Sequence, residues 1–245
     1  ALLKKALAMG IDYVATGHYA KIEKGADGKY ILRASEAVKK DQSYVLYNFT
    51  QEQLAHTLMP LGGYNKDWVR QKAEELGLGV AHKPDSQEIC FVEDDDYAKF
   101  ITDYSGYKPK EGDILDVNGN VIGKHRGLIY YTIGQRKGIG AYGRPMFVMK
   151  IDAENNTITL GEKGMEFSNE LTAYDVNFVS GEFPKENMLI TAKVRYQAPP
   201  AAAMLCPQKD GTVKLMFPEP QRAVTPGQAV VFYDGDIVLG GGTVL

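Results

Sequence analysis

Apolar positions along this chain follow two different periods, and the change from one to the other divides it. Near the start, Leu2, Leu3, Ala6 and Leu7 fall on one face at helical spacing, with Gly10 placed to stop the helix. "DYVATGHYAKI", "GKYILR" and "SYVLYNF" then read as strands, the second preceded by the turn-rich "KGADGK". Trp68, Val69, Ala73 and Leu76 predict a second amphipathic helix, opened by Asn65 as N-cap and closed by Gly77. "LGVAHK" reads as a short strand, and "DDDYAKFITDY" as a helix with an acidic first turn. Beyond this point the period becomes two. "DVNGNVIG", "KIDAENNTITLGEK", "CPQKDGTVKLMF" and "VFYDGDIVLGGGTVL" alternate apolar and polar residues around Asn-Gly and Asp-Gly turns, which predicts antiparallel sheet closing into a barrel.

This pattern predicts an α/β portion over residues 1–92, a small central domain over 93–142 and an all-β domain over 143–245. The chain opens directly on a helix, with no N-cap and no preceding strand. The expectation is therefore that an α/β domain begins upstream of Ala1.

Composition narrows the picture. With 245 residues and 44% hydrophobic content, the chain is long enough for more than one packed unit. No run of about 18 apolar residues predicts a membrane helix, and no charged-then-apolar start reads as a signal peptide. Two cysteines make neither a disulfide framework nor a zinc site, and no metal is expected. A reducing cytoplasm is the expected location. The net charge is −3, but it is unevenly spread. Between Asp116 and Asp152 there is no acid, while Lys124, Arg126, Arg136, Lys137, Arg144 and Lys150 are present. A second acid-free stretch, Asn187 to Lys209, carries Lys193, Arg195 and Lys209. Local basic segments in a mildly acidic chain point to a directed anionic partner.

Several short stretches carry candidate chemistry, and each also has an ordinary explanation. In "ATGHYAKI", Gly17 at the end of a strand lets a ligand approach the backbone, and His18 follows it; a tight turn gives the same letters. "VKKDQSYVLY" offers Lys40, Asp41 and Gln42 to phosphates and base edges, or is a solvated loop. "KHRGLIYYTIGQRKGIGAYGRP" interleaves basic residues with Tyr130, Tyr131 and Tyr142, a pattern suited to phosphates and bases unless the tyrosines are core. Arg195 and Tyr196 stand at a strand end that Pro199 and Pro200 terminate, and Gln228 follows the Pro226-Gly227 turn. Cys206, in "AMLCPQ", reads as a packed strand residue. Cys90, between Ile89 and Phe91, reads from its neighbours as a buried thiol, and the acids around it would raise its pKa.

Taken jointly and in order, "ATGHYAKI", "KKDQSYVLY", "PDSQEICFV", "GLIYYTIGQRKGIG", "KVRYQ" and "PQRAVTPGQAVVFYDGDIVLGGG" resemble the bacterial tRNA-specific 2-thiouridylases over essentially all 245 residues. The resemblance implies an adenine nucleotide alpha hydrolase-like, Rossmann-type α/β domain, a small central tRNA-binding domain and a C-terminal antiparallel β-barrel. It implies ATP-dependent transfer of persulfide sulfur to C2 of the wobble uridine in the anticodon arm of tRNA. ATP acts with Mg2+ in the full-length enzyme, and a sulfur-relay protein delivers the persulfide. By motif, Cys90 matches the cysteine that takes up the persulfide, and Gly17 the glycine beside the adenine. His18, Lys40, Asp41, Gln42, Arg195, Tyr196 and Gln228 match tRNA contacts. The SGGxDS phosphate loop and the first catalytic cysteine of the family are not in this sequence. The chain alone is therefore expected to require no ATP and to be unable to thiolate tRNA. Two other functions fit the residues: a non-catalytic RNA-binding module, and an ATP-pyrophosphatase-type ligase acting on a small molecule.

Overall fold

The structure, a computed structural model, describes residues 2–79, 81–82, 92 and 96–245. They form two compact units. One comprises residues 1–83, 169–221 and 226–245; the other comprises 84–168 and 222–225.

In the first unit, helix α1 (Leu2–Ala8) ends at Gly10, whose φ of 76° is the left-handed conformation a non-glycine residue resists. The strand expected over residues 12–22 is interrupted. β1 (Val14–Ala15) and β2 (Ala20–Lys24) flank a loop at residues 16–19, and β3 (Tyr30–Ala34) pairs antiparallel with β2. "SYVLYNF" is not a strand: Ser43–Leu46 is a 3-10 turn. The correction has a local cause. Asp41 Oδ1 accepts from the Ser43 backbone N–H at 3.3 Å and Oδ2 from the Ser43 hydroxyl at 2.7 Å, which holds the chain in a turn. Tyr44 and Leu46 are thereby buried while Val45 is exposed.

Helix α2 (Gln51–Ala55) opens with a reciprocal cap between Thr50 and Gln53. β4 (Thr57–Leu58) lies parallel to β1 in a two-stranded sheet. In α3 (Lys66–Glu75), Asn65 Oδ1 accepts from the Trp68 N–H at 2.8 Å, the N-cap that the sequence indicates. The "LGVAHK" expectation falls partly outside the described residues. In α4 (Tyr97–Ser105) of the second unit, Asp96 is the N-cap, accepting from Lys99 N–H at 2.9 Å.

The second unit is built on a four-stranded sheet from β5 (Gly112–Leu115), β6 (Val121–His125), β7 (Met146–Asp152) and β8 (Thr157–Glu162), in the order β6-β5-β8-β7. This sheet joins strands from both sides of Tyr142. Its core contains Ile114, Tyr131, Ile139, Val148, Ile158 and Leu160.

The remaining strands are β9 (Phe167–Phe178), β10 (Met188–Lys193), β11 (Ala201–Pro207), β12 (Val213–Arg222), β13 (Ala229–Asp234) and β14 (Ile237–Val244). They run in the order β13-β10-β11-β12-β9-β14, and a β13–β14 pairing closes them into a six-stranded antiparallel barrel. Alternation fills it: Ile190, Ala192, Ala203, Leu205, Leu215 and Phe217 are buried, while the residues between them are more open. Cys206 lies in β11, half-buried and unbonded.

The β2–β3 hairpin extends the barrel sheet beyond β14. Ile237 pairs with Arg33, Ala34 N–H donates to Asp236 O at 2.8 Å, and Arg33 bridges Glu23 and Asp236, both at 2.8 Å. One hydrophobic cluster is shared by both regions: Ala20, Leu32, Tyr44, Leu46 and Leu54 pack with Val179, Val231 and Val238. Burying these side chains together fixes the position of the 35–44 loop against the barrel. At Gly241 a Cβ would lie 2.6 Å from the Tyr47 ring, so the glycine of "LGGG" is what lets Tyr47 lie over β14.

Candidate nucleic-acid interface

Two segments far apart in sequence meet at Tyr44, and a third is tied to Gln42, two residues before it. The loop after β1 comes first. Thr16 N–H donates to Leu58 O at 2.9 Å, and the His18 ring Nδ1 lies 3.0 Å from Thr16 Oγ1. The next residue, Tyr19, exchanges two hydrogen bonds with Gln42. Tyr19 N–H donates to Gln42 Oε1 at 3.0 Å, and Gln42 N–H donates to Tyr19 O at 2.9 Å. Gln42 therefore holds the His18 loop to the 39–42 loop.

Asp41 acts within its own loop in the same way. Besides its bonds to Ser43, its Oδ1 accepts from Ser35 N–H at 2.9 Å. The side chains of Asp41 and Gln42 are thus committed to shaping the backbone, while Lys40 beside them is half-buried.

The segment after β10 comes second. Val194, just past the strand, is buried, while Lys193 and Arg195 on either side of it are half-buried. The Tyr196 hydroxyl donates to Asp41 O at 3.2 Å, and its ring meets Tyr44 edge-on with centroids 5.7 Å apart. The Lys193 ammonium stands 5.8 Å from both the Tyr44 and Tyr196 centroids. An ammonium shared by two rings is held in place by their negative faces while it still carries its charge.

The turn before β13 is the third. The Tyr44 hydroxyl donates to Ala229 O at 2.7 Å, next to exposed Gln228. Gly227, at φ 81°, makes the turn and donates its N–H to Val244 O at 2.8 Å. Burial pushes the Tyr44 phenol up to about 12; Tyr47 adds to the rise and Arg195 opposes it. Tyr44 is therefore a neutral donor at physiological pH, and the charge of this face comes from its lysines and arginine.

The bonds of Tyr19, Gln42, Tyr44 and Tyr196 tie the loop of His18, the loop of Lys40, Asp41 and Gln42, the Arg195-Tyr196 segment and the turn of Gln228 to one another. Gly17 lies in the same loop as His18 and is exposed. A Cβ there would meet only Leu61 Cδ1, at 3.9 Å, so packing does not demand the glycine and the backbone is open to a ligand. Cys90 lies outside the described residues. Lys193 and Tyr44 are the members that motif reading misses. The alternation Lys193-Val194-Arg195 was a signal for the first; the second was hidden by the strand expectation.

The second unit carries the other basic stretch. Gln135 ties the loop together: its Oε1 accepts from Thr132 N–H and its Nε2 donates to Lys137 O, each at 2.8 Å. Buried Ile139 anchors the loop, and Arg136 and Lys137 are exposed. The Arg126 guanidinium lies 4.1 Å from the Tyr130 centroid. Tyr131 is a core residue, which removes it from stacking on a base. Among the described residues, no group of three His, Cys, Asp or Glu side chains is placed to hold a metal, and no helix is long and apolar enough to cross a membrane.

An α/β portion docked on a closed β-barrel, a separate β-module with a basic loop, and cation–tyrosine groups are features suited to a nucleic-acid-binding class of protein. Comparison with known proteins agrees. Residues 1–94 match the family model described as the tRNA methyl transferase HUP domain, 98–162 the tRNA methyl transferase PRC-barrel domain, and 168–244 the aminomethyltransferase beta-barrel domain. A tRNA-specific 2-thiouridylase of Acetivibrio thermocellus is 58% identical over 99% of the chain and 68% of its own length. One from Clostridioides difficile is 54% identical over 98% of the chain and 67% of its own length. One from Clostridium acetobutylicum is 51% identical over 100% of the chain and 69% of its own length. The chain belongs to the tRNA-specific 2-thiouridylase family.

Proposed function

We propose that this chain supplies the RNA-recognising and sulfur-carrying portion of a tRNA 2-thiouridine-forming sulfurtransferase. The observation that supports the reading is that the segments of Tyr196 and Ala229 meet at Tyr44, while the His18 loop is tied to Gln42 two residues before it. These bonds link segments that carry Lys193, Arg195 and Tyr196 with those that carry Lys40 and Gln228. Lysine and arginine neutralise phosphates, and an exposed tyrosine ring gives unpaired bases a surface to stack on. The family models speak of methyl transfer; thiolation follows the names of relatives at 51–58% identity.

In this reading Arg195, Tyr196, Lys40, His18 and Gln228 bind the anticodon arm of tRNA. Asp41 and Gln42 hold those side chains in register from behind. Cys90 takes the terminal sulfur from a persulfide donor protein and presents it to C2 of the wobble uridine. ATP, bound with Mg2+, supplies the adenylyl group that turns the uridine 2-oxygen into a leaving group. The open backbone at Gly17 fits the base end of that nucleotide. The reading assigns these residues recognition and sulfur carriage in a cytoplasmic enzyme.

Titration of the chain with tRNA tests this. Arg195→Glu and Lys137→Glu should each weaken binding and flatten its salt dependence. A small-molecule ligase would show no tRNA binding to lose. In a chain extended to the length of its relatives, Cys90→Ser should abolish 2-thiouridine formation and leave tRNA binding intact. Normal 2-thiouridine in that variant would refute the role of Cys90.

A further inference from the structure

The six basic residues of the acid-free stretch between Asp116 and Asp152 are not equivalent in the folded second unit. Three of them face a carboxylate: Lys124 lies 2.5 Å from Asp113, Arg144 2.6 Å from Glu162 and Lys150 3.3 Å from Asp152. The Arg126 guanidinium rests on the Tyr130 ring. Arg136 and Lys137 are exposed, and among the described residues neither has an ion-pair partner.

These two cations stand on a loop that is tied down on both sides and in the middle. Tyr131 and Ile139, which flank it, are buried in the core of the unit. Between them Gly134 N–H donates to Val148 O at 2.7 Å and Val148 N–H donates to Gln135 O at 3.0 Å, so the loop adds a rung to the edge of β7. The half-buried Gln135 side chain then closes the loop on itself. Its Oε1 accepts from Thr132 N–H at 2.8 Å, and its Nε2 donates to Lys137 O at 2.8 Å and to Tyr130 O at 3.3 Å. An oxygen facing an N–H and an NH2 facing two carbonyls suit a side-chain amide; a glutamate would set an oxygen against those carbonyls. A loop held this way has little freedom left to lose when it meets a ligand.

We propose that Gln135 is a positioning residue for RNA binding: it holds residues 130–137 in one shape, so that Arg136 and Lys137 meet backbone phosphates already in place. The inference rests on the tRNA-binding reading above. It adds which cations of this stretch make the contact and what keeps them ready. Phosphate contacts of this kind fix register and carry no base preference. Lys124, Arg144 and Lys150, each beside a carboxylate, make no such contact.

The test uses the whole chain and an anticodon stem-loop RNA, with binding measured across a range of salt. Arg136→Gln and Lys137→Gln should each lower the slope of log affinity against log salt by about 0.7–0.9, the share of one phosphate, and Lys150→Gln should leave it unchanged. Gln135→Met keeps the length of the side chain and loses its hydrogen bonds. It should weaken RNA binding about tenfold, the cost of ordering two long side chains on binding. In a chain that already carries Arg136→Gln and Lys137→Gln, the same substitution should change binding by less than about twofold, because Gln135 acts through those two cations. A loss of equal size in both backgrounds assigns Gln135 a purely structural role and overturns the proposal, as does full affinity in Gln135→Met. A second measurement needs no variant at this position. The Thr132 amide should be protected from hydrogen exchange in the free wild-type chain and gain little protection with RNA; exchange that slows only in the complex overturns the preformed loop. Unchanged salt slopes in both cation variants overturn the proposal and leave the tRNA-binding reading standing. Absence of RNA binding by the wild-type chain overturns both.

Discussion

Asp41→Ala separates a scaffolding role from a direct RNA contact. In the structure the Asp41 carboxylate accepts from Ser35 N–H at 2.9 Å, Ser43 N–H at 3.3 Å and Ser43 Oγ–H at 2.7 Å. Ser35 and Ser43 are buried, so water replaces the lost acceptor poorly. A hydrogen bond to a charged acceptor is worth roughly 1.5–3 kcal/mol, but the 3.3 Å bond is weak and the aspartate itself is half-buried. The sum comes to about 3 kcal/mol. For a chain of this size that lowers the melting temperature by about 6–12 °C. Asp41→Asn keeps an oxygen for the two N–H groups and loses the hydroxyl bond, costing about 1 kcal/mol. Thermal melts of the three proteins, with tRNA titrations below the lowest transition, make the assay. The expected result is a large loss of stability for alanine, partial rescue by asparagine, and RNA affinity that follows the same order. A tenfold loss of RNA affinity in Asp41→Ala at unchanged melting temperature would refute the scaffolding argument and return Asp41 to the RNA contacts.

Three other outcomes follow from the same face and its supports. Lys193→Gln should lower the slope of log affinity against log salt by about 0.7 for single-stranded RNA, the share of one phosphate contact; an unchanged slope would remove Lys193 from the interface. Burial holds the folded-state Tyr44 pKa at about 12 against an ordinary 10.0. Its contribution to stability is therefore complete below about pH 10 and is lost as pH rises through 12. Tyr44→Phe should flatten that alkaline loss, visible in denaturant melts across this range, and should cost about 1 kcal/mol at neutral pH by leaving Ala229 O unpaired. At Gly62 a Cβ would lie 2.0 Å from Ala20 O, so Gly62→Ala must displace backbone. It should destabilise by about 2 kcal/mol or more, and a wild-type melting temperature would contradict the packing of β2.

Which parts of the site could be seen in advance has a physical explanation. The cap at Asn65 acts over three residues, so the letters that make it lie side by side. The motif letters around His18, Lys40, Arg195 and Gln228 could be picked out as candidates, but each is also compatible with a plain turn. The side chains that join them are tyrosines and a glutamine whose partners lie far off in sequence. Tyr44 reaches Ala229 and Tyr196 reaches Asp41, separations of 185 and 155 residues. Such pairs leave no periodic trace. The same limit explains the error at residues 43–49. An apolar, aromatic run favours a strand when read alone, but a strand needs a sheet partner, and Asp41 instead closes a turn that buries Tyr44 and Leu46.

By itself the sequence determined that the C-terminal part is antiparallel and barrel-like. Two-residue alternation and Asn-Gly or Asp-Gly turns are local instructions, obeyed wherever the strands find each other. It also determined that basic charge is concentrated in two acid-free stretches. Only the tertiary structure decided that the β2–β3 hairpin joins the barrel through Ile237 and Arg33, that one hydrophobic cluster spans both regions, and that Asp41 and Gln42 face inward as supports while Lys193 joins the face beside them. Burial of Ala20, Leu32, Tyr44 and Leu46 against Val231 and Val238 brings these segments together. That free energy depends on surfaces meeting in three dimensions, which the order of residues along the chain does not display.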